Sequence, residues 1–171
     1  MLQLIRRKRP SIEVNQKVFQ KDFFENPFHQ WINEDRYLKR TIIEFLQCFK
    51  DQDLRALMKG NKKLILTPAS GLYSCAFNAT EKFDFIIIFP DLLKILRCAS
   101  PERGIAILLH EAGHLILKHS ARNLDPLEAQ LEADAFCAQR GHALALYDFL
   151  NDCPWDEEID LRKRYIQTKL I

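Results

Sequence analysis

Two histidines and a glutamate interrupt an otherwise apolar segment in the second half of the chain. The segment runs from Ile107 to Leu117 and carries His110, Glu111 and His114. Its apolar flanks predict a helix buried on nearly every face, where three polar side chains would be costly without partners. The two histidines lie about 40° apart around the helix axis, so both imidazoles can face one metal ion. Glu111 stands beside them, where a carboxylate can act as a base. The segment therefore predicts a metal site, with zinc as the expected ion.

The remainder of the chain predicts an α+β fold in a single domain over residues 1–171. Residues 1–60 are expected to be mainly helical, because apolar side chains recur there at helical spacing and Gly60 is a plausible stop. Three short apolar runs follow and predict a small, mostly antiparallel sheet of about three strands. These runs are Lys63–Thr67, Leu72–Phe77 and Phe83–Phe89. Residues 61–171 would supply this sheet and the helices of the metal site.

Turn and capping residues place the later helices. Ser100 is a suitable N-cap before Pro101, which predicts that the helix with the histidines runs to about His119. Asp125 and Pro126 repeat that arrangement and predict a second helix. A final amphipathic helix is expected over Glu157–Lys169. The expected architecture packs the small sheet against the buried histidine helix and this second helix, which would carry a further metal ligand.

Composition excludes several classes of protein. The net charge is only +2 with 28% charged residues, so no nucleic-acid partner is expected, and the Arg6–Arg9 cluster is interpreted as a solvated arm. No apolar stretch approaches 18 residues, which predicts no membrane span. The five cysteines are scattered without a Cys-x-x-Cys pair, as is typical of reduced thiols. A cytoplasmic, soluble protein is expected.

The motif and the elements around it resemble the gluzincin clan of zinc metallopeptidases, most closely the small soluble minigluzincins and the peptidase M48 family. A strand containing Cys75–Asn78 precedes the strand Phe85–Phe89, and Pro101–Glu102 leads into the helix with the histidines. Downstream, Glu132–Asp134 resembles the Glu-Ala-Asp element of the clan's second metal helix. The likeness covers about residues 64–140.

The resemblance leaves the third metal ligand open. It implies that Asp134 supports a zinc-bound histidine from behind and that a glutamate four residues earlier binds zinc. That position holds Gln130, whose neutral amide is a poor substitute for a carboxylate. Glu132 and Glu128 are alternatives on one helical face. Glu128 also suits a capping role after Asp125, so Glu132 is preferred, while a site that uses Gln130 or lacks a full ligand set stays open.

The resemblance implies a zinc metalloendopeptidase that acts on a peptide or protein substrate. One zinc ion per chain would be held by His110, His114 and Glu132, with Asp134 behind a ligand. Zinc would lower the pKa of a bound water towards about 7. Glu111 would take the water's proton during attack on the peptide carbonyl and pass it to the leaving amine. The alternative is a catalytically degenerate gluzincin-like binding or regulatory protein, suggested by the neutral amide at the usual ligand position.

Three further residues, His119, His142 and Tyr147, follow the motif and could in principle serve the site. The metzincin pattern is excluded, because it needs a third histidine at the position of Ser120. His119 comes one residue too early, and on a continuous helix it would point about 140° away from His114, so we expect a helix-end histidine favoured by the dipole. His142 and Tyr147 are expected to serve packing. In the resembling fold an extended substrate pairs with a strand of the sheet, for which Phe85–Phe89 is the candidate.

Overall fold

The computed structural model describes residues 15–69, 74–78 and 82–170 of the 171-residue chain. Helices precede and follow a short sheet, which confirms the predicted α+β class. The helices are α1 (Gln16–Glu25), α2 (Gln30–Asn33), α3 (Arg36–Gln47), α4 (Asp51–Leu57), α5 (Pro90–Leu96), α6 (Glu102–Ile116), α7 (Pro126–Ala138), α8 (Ala143–Asp152) and α9 (Glu157–Gln167). The strands are β1 (Lys63–Pro68), β2 (Ser74–Asn78) and β3 (Phe83–Ile88). The Arg6–Arg9 cluster and the first two residues of the predicted second strand, 72 and 73, lie outside the described residues.

The sheet is mixed, so the prediction of mostly antiparallel pairing is wrong. Its strand order is β1-β3-β2, and β3 runs parallel to β1 and antiparallel to β2. The prediction failed because β1 and β2 do not form a hairpin, although they are consecutive. Strand β3 lies between them and pairs with both neighbours.

Strand β3 is the centre of the sheet. Its side chains alternate between buried and half-buried positions, with Asp84, Ile86 and Ile88 on the buried side. Ile86 pairs with Leu66 of β1 on one side and with Ala76 of β2 on the other. Because both edges of β3 are occupied, it cannot pair with an extended substrate, which corrects the expectation for Phe85–Phe89. Strand β2 is the edge strand on the side where the histidine helix packs.

The N-terminal helices share one hydrophobic core with the helices that follow the sheet. Phe23 of α1, Phe45 of α3, Leu109 of α6 and Ile166 of α9 all belong to one buried cluster. Helix α4 is also joined to the end of α7 by an ion pair, in which Nη2 of Arg140 lies 2.6 Å from Oδ2 of Asp53. The helices of residues 16–57 are therefore part of the body of the fold.

Helix α6 is the buried helix that the apolar segment predicted, with different ends. It begins at Glu102 with Pro101 as its N-cap and ends at Ile116, before the predicted end at His119. Lys118 then adopts a left-handed conformation, with φ of 58°, and a short 3-10 turn over His119–Ala121 reverses the chain. This left-handed residue ends the helix because helical hydrogen bonding cannot continue through it.

Helix α7 lies unusually close to α6. It begins as predicted, with the side chain of Asp125 accepting a hydrogen bond from the Leu127 backbone N–H at 2.9 Å. A Cβ atom at Gly113 would come within 3.2 Å of both the Cα atom of Ala133 and the Cβ atom of Phe136. Glycine therefore permits a backbone approach that would be crowded with any larger residue. Helix α9 packs on α7 and α8 and ends at Gln167, two residues before the predicted end.

Across the described ranges, no helix combines the length and apolar character needed to cross a lipid bilayer.

Candidate metal site

Helix α6 brings its two motif histidines into contact. Nε2 of His110 lies 3.1 Å from Nε2 of His114, and the ring planes are 80° apart. Two imidazole ligands of a tetrahedral zinc ion, each bound at about 2.0–2.1 Å, have their nitrogens about 3.3 Å apart. The observed separation is close to that value. The spacing of the two nitrogens therefore suits two ligands of one ion.

The ring of His114 is held in its neutral form. Burial lowers its pKa to about 3, and the neighbouring charges of His110 and His119 act in the same direction. A neutral imidazole offers a nitrogen lone pair, which is what a metal ion requires of a histidine ligand. The environment of His114 therefore suits metal binding at neutral pH.

Asp134 of α7 lies behind His110. Its Oδ1 atom is 2.7 Å from Nδ1 of His110, within ion-pair distance but without the alignment of a hydrogen bond. Asp134 is fully buried. Burial alone would raise the pKa of its carboxyl group, but the close His110 ring and the hydrogen bonds and charge of Arg162 outweigh burial and hold the pKa below its ordinary value. The ionised carboxylate then favours hydrogen on Nδ1 and leaves Nε2 of His110 free to bind.

Arg162 of α9 completes the support of Asp134. Its Nε and Nη2 atoms donate to the two carboxylate oxygens at 2.9 and 2.8 Å, a bidentate arrangement between buried groups. Such paired hydrogen bonds fix the plane of a carboxylate as well as its charge. Arg162 also lines the cavity that contains His110.

A second set of contacts lies behind His114. Nδ1 of His114 is 2.7 Å from Nδ1 of His119, and Nε2 of His119 is 3.0 Å from Oε2 of Glu132. Arg122 in turn donates to both oxygens of Glu132, with its Nη2 atom 2.9 Å from Oε1. The expectation that His119 points away from His114 is wrong, because the chain reverses at Lys118 and does not continue as a helix.

Glu111 faces the same cavity as the two histidines, beside the edge strand β2. Burial raises the pKa of its carboxyl group above the ordinary value, although the charges of His110 and Arg162 and a hydrogen bond from the Ala76 backbone oppose this rise. A carboxylate with a raised pKa is a stronger base than a solvated one. Glu111 therefore lies in the cavity of the two histidines, in an environment that makes its carboxylate more basic.

The candidates for the third ligand lie in two different cavities. Gln130 lines the cavity of about 470 Å³ that also contains His110, Glu111 and His114, whereas Glu128 and Glu132 line a separate one. The Oε1 atom of Gln130 is buried and has no hydrogen-bond partner among the residues that the structure describes. Glu132, the preferred candidate from the sequence, has its carboxylate occupied by His119 and Arg122.

The residues of the cavity fit a zinc ion in part. The two Nε2 atoms have a suitable spacing, the His114 ring is neutral, and Gln130 brings a neutral amide to the same cavity. Within residues 15–69, 74–78 and 82–170, no group of three His, Cys, Asp or Glu side chains is placed to hold a metal ion. His119 does not complete such a group, because its contact with His114 is through Nδ1, on the far side of that ring from His110. Gln130 lines the cavity with a neutral amide, which is a weaker ligand for zinc than a carboxylate.

Sequence reasoning missed two residues of this site. The sequence places His119 at a helix end. It gives no signal for Arg162, because this residue is 28 positions from Asp134 and meets it only through the packing of α9 on α7. His142 and Tyr147 do not line the cavity of His110 and His114, in keeping with the packing role expected of them. Nε2 of His142 lies 3.5 Å from Sγ of Cys48, and the hydroxyl of Tyr147 accepts a hydrogen bond from Gln167.

Comparison of the chain with protein families, curated proteins and solved structures gives no match.

Proposed function

We propose that the chain is a zinc-dependent metallopeptidase that hydrolyses peptide bonds of a peptide or protein substrate in the cavity beside α6. The observation that carries this proposal is the 3.1 Å separation of the His110 and His114 Nε2 atoms in a cavity that also holds Glu111. These two histidines are the nitrogen ligands in this proposal, and the amide oxygen of Gln130 is the third donor. Glu132, which the sequence favoured as third ligand, has a different role that is developed below.

Zinc bound there would supply a Lewis acid that polarises the peptide carbonyl and makes a nearby water molecule more acidic. Glu111 is the general base and takes the proton of the attacking water. It then passes that proton to the departing amine, for which its raised pKa is favourable. Arg162 contributes a fixed positive charge at the wall of the cavity. An extended substrate would pair with β2, the edge strand whose Ala76 backbone contacts Glu111.

The test replaces Glu111 by Gln, which keeps the size of the side chain and removes the base. We expect zinc content to stay the same and cleavage of a fluorescently labelled unfolded protein to fall by about 10²-fold or more. Glu128→Gln is the matched control, because Glu128 is exposed and lines the other cavity, and it should cleave at the wild-type rate. Cleavage by Glu111→Gln at the wild-type rate contradicts the proposed mechanism.

The second candidate function is a catalytically degenerate, gluzincin-like binding protein. The neutral amide of Gln130 beside the two histidines favours it, because zinc held without a carboxylate is held more weakly. Both candidates bind zinc, so the cleavage assay separates them. Zinc uptake without cleavage of any unfolded protein would support the binding protein.

A further inference from the structure

The contacts behind His114 form a chain of four side chains that leads away from the cavity. His114 contacts His119, His119 contacts Glu132, and Arg122 holds Glu132. His119 is buried, with 9% of its surface exposed, whereas Arg122 is exposed. The chain therefore runs from the site to the protein surface through a buried imidazole.

Hydrogen-bond chemistry fixes the role of each member when His114 binds a metal ion. A neutral histidine that presents the lone pair of Nε2 carries its hydrogen on Nδ1. Nδ1 of His114 then donates to Nδ1 of His119, 2.7 Å away, which must accept. An accepting His119 carries its own hydrogen on Nε2, and this atom lies 3.0 Å from the carboxylate of Glu132, an acceptor.

The opposite tautomer places the His114 hydrogen on Nε2, pointing at His110. That hydrogen would occupy the space between the two Nε2 atoms, which lie 3.1 Å apart, and would compete with a metal ion. Glu132 opposes this tautomer, because its carboxylate can only accept and so favours hydrogen on Nε2 of His119. Arg122 keeps that carboxylate in place through two hydrogen bonds.

We propose that His119 is a positioning residue, which accepts a hydrogen bond from Nδ1 of His114 and so directs Nε2 of His114 toward a metal ion shared with His110. Glu132 and Arg122 hold His119 in that role. The inference rests on the proposed function, because it requires that His110 and His114 bind a metal. It assigns Glu132 to the support of a ligand and not to the metal itself.

The test measures zinc affinity by competition with a chromophoric chelator for the full chain and its variants. His119→Leu removes the acceptor and should weaken zinc binding by about 10–100-fold, the usual effect of losing such a partner. His119→Asn should restore most of the affinity, because its amide oxygen can accept from Nδ1 of His114. His142→Asn is the matched control, a half-buried histidine that contacts Cys48 instead, and should bind zinc as the wild type does.

Glu132→Gln separates the support role from direct ligation. In the support role its effect should be smaller than that of His119→Leu, and it should add little to the effect of His119→Leu in the double variant. If Glu132 bound the metal directly, Glu132→Gln would lower zinc affinity by the same factor in the wild type and in His119→Leu. Its effect would also be larger than that of His119→Leu. That result would overturn the inference.

A spectrum of the imidazole nitrogens gives a readout that a purely structural role would not move. In the zinc-loaded protein, long-range proton–nitrogen correlation should show hydrogen on Nδ1 of His114 and on Nε2 of His119. If His119→Leu fails to fold, the Asn variant and this spectrum decide the question. Wild-type zinc affinity in His119→Leu overturns this inference alone, whereas a wild-type chain that takes up no zinc overturns the proposed function as well.

Discussion

Arg162 donates hydrogen bonds to both carboxylate oxygens of Asp134, at 2.9 and 2.8 Å, and both side chains are buried. The pair joins α9 to α7 directly behind the ring of His110, whose Nδ1 atom lies 2.7 Å from the same carboxylate. Breaking a buried ion pair by removing one partner leaves an uncompensated charge in the interior. The pair therefore links the stability of the fold to the orientation of a proposed ligand.

Replacement of Arg162 by Met should lower the free energy of unfolding at pH 7 by about 3–5 kcal/mol, because Asp134 would remain buried and charged. Chemical denaturation measures this change. Arg164→Met is the control on the same helix, since Arg164 is exposed and its bond to Asp160 lies at the surface. It should change stability by about 0.5 kcal/mol or less. Equal effects of the two substitutions would contradict the role assigned to Arg162.

The lowered pKa of Asp134 makes the effect of Arg162→Met on the unfolding free energy depend on pH. Its folded-state pKa is held below the ordinary value of 3.8, so its contribution to stability is fully present above that pH and is lost as the pH falls through the folded pKa. Arg162→Met removes one of the groups that hold the pKa down. The difference in unfolding free energy between the wild type and the variant should therefore shrink as the pH is lowered from 5 to about 2, and a constant difference would contradict this account.

Gln130 offers a gain-of-function test of the metal site. Gln130→Glu places a carboxylate beside His110 and His114 in the same cavity. A charged oxygen ligand should raise zinc affinity by about tenfold or more over the neutral amide, which chelator competition measures. Gln139→Glu, which adds the same charge at an exposed position lining the other cavity, is the control and should leave affinity unchanged. An unchanged or lower affinity in Gln130→Glu would place the ion elsewhere.

Local sequence patterns were sufficient for the elements whose causes are local. The apolar run around His110 predicted a buried helix, and Asp125 before Pro126 predicted the start of the next one. The spacing of His110 and His114 also predicted that their rings would meet, since helix geometry alone determines it. The placement of Asp134 behind His110 was expected only from the resemblance, and the structure shows the two side chains in contact.

Features that depend on tertiary packing could not be predicted from local sequence patterns. The parallel pairing of β1 and β3 arises because β3 lies between β1 and β2, which are consecutive in the chain. No turn signal in the sequence encodes this order. His119 reaches His114 only because Lys118 takes a left-handed conformation that is uncommon for a residue other than glycine. Gln130 and Glu132 are only two positions apart, yet they face different cavities, because helix α7 turns them by about 200°.

The substitution Gly113→Ala tests the close approach of α6 and α7. Alanine is a better helix former than glycine by about 1 kcal/mol, but here its Cβ would come within 3.2 Å of the Ala133 backbone. We expect a net loss of about 1–3 kcal/mol in Gly113→Ala, together with weaker zinc binding, because α7 carries Asp134 and Gln130. Thermal and chemical denaturation measure the first effect, and chelator competition the second.

Gly104 provides the comparison for Gly113 on the same helix. A Cβ atom there would meet Cδ2 of Leu96 at 2.7 Å, which is the end of a side chain and can move more readily than backbone. Gly104→Ala should therefore cost less than Gly113→Ala and should leave zinc affinity unchanged. Greater stability in Gly113→Ala than in the wild type would mean that the two helices do not approach as closely as the structure shows.

The buried pair of Asp53 and Arg140 should couple the N-terminal helices to the metal-site helices. Asp53 accepts from two Arg140 nitrogens, at 3.2 and 2.6 Å, and from the Lys50 backbone N–H at 2.8 Å. Arg140→Met should cost about 3–5 kcal/mol, because the buried Asp53 carboxylate would lose both of its hydrogen bonds from Arg140. Arg40→Met, which breaks an exposed pair with Glu44, is the control and should cost about 0.5 kcal/mol or less.

The double variant Asp53→Leu with Arg140→Met separates the loss of the pair from the loss of either side chain. With both charges removed, no uncompensated charge stays in the interior. The double variant should therefore be more stable than the sum of the single losses predicts, by about 0.5–3 kcal/mol. Part of the cost of Asp53→Leu should persist, since the substitution also removes the acceptor for the Lys50 N–H at the start of α4. Strictly additive losses would show that Asp53 and Arg140 stabilise the fold independently of each other.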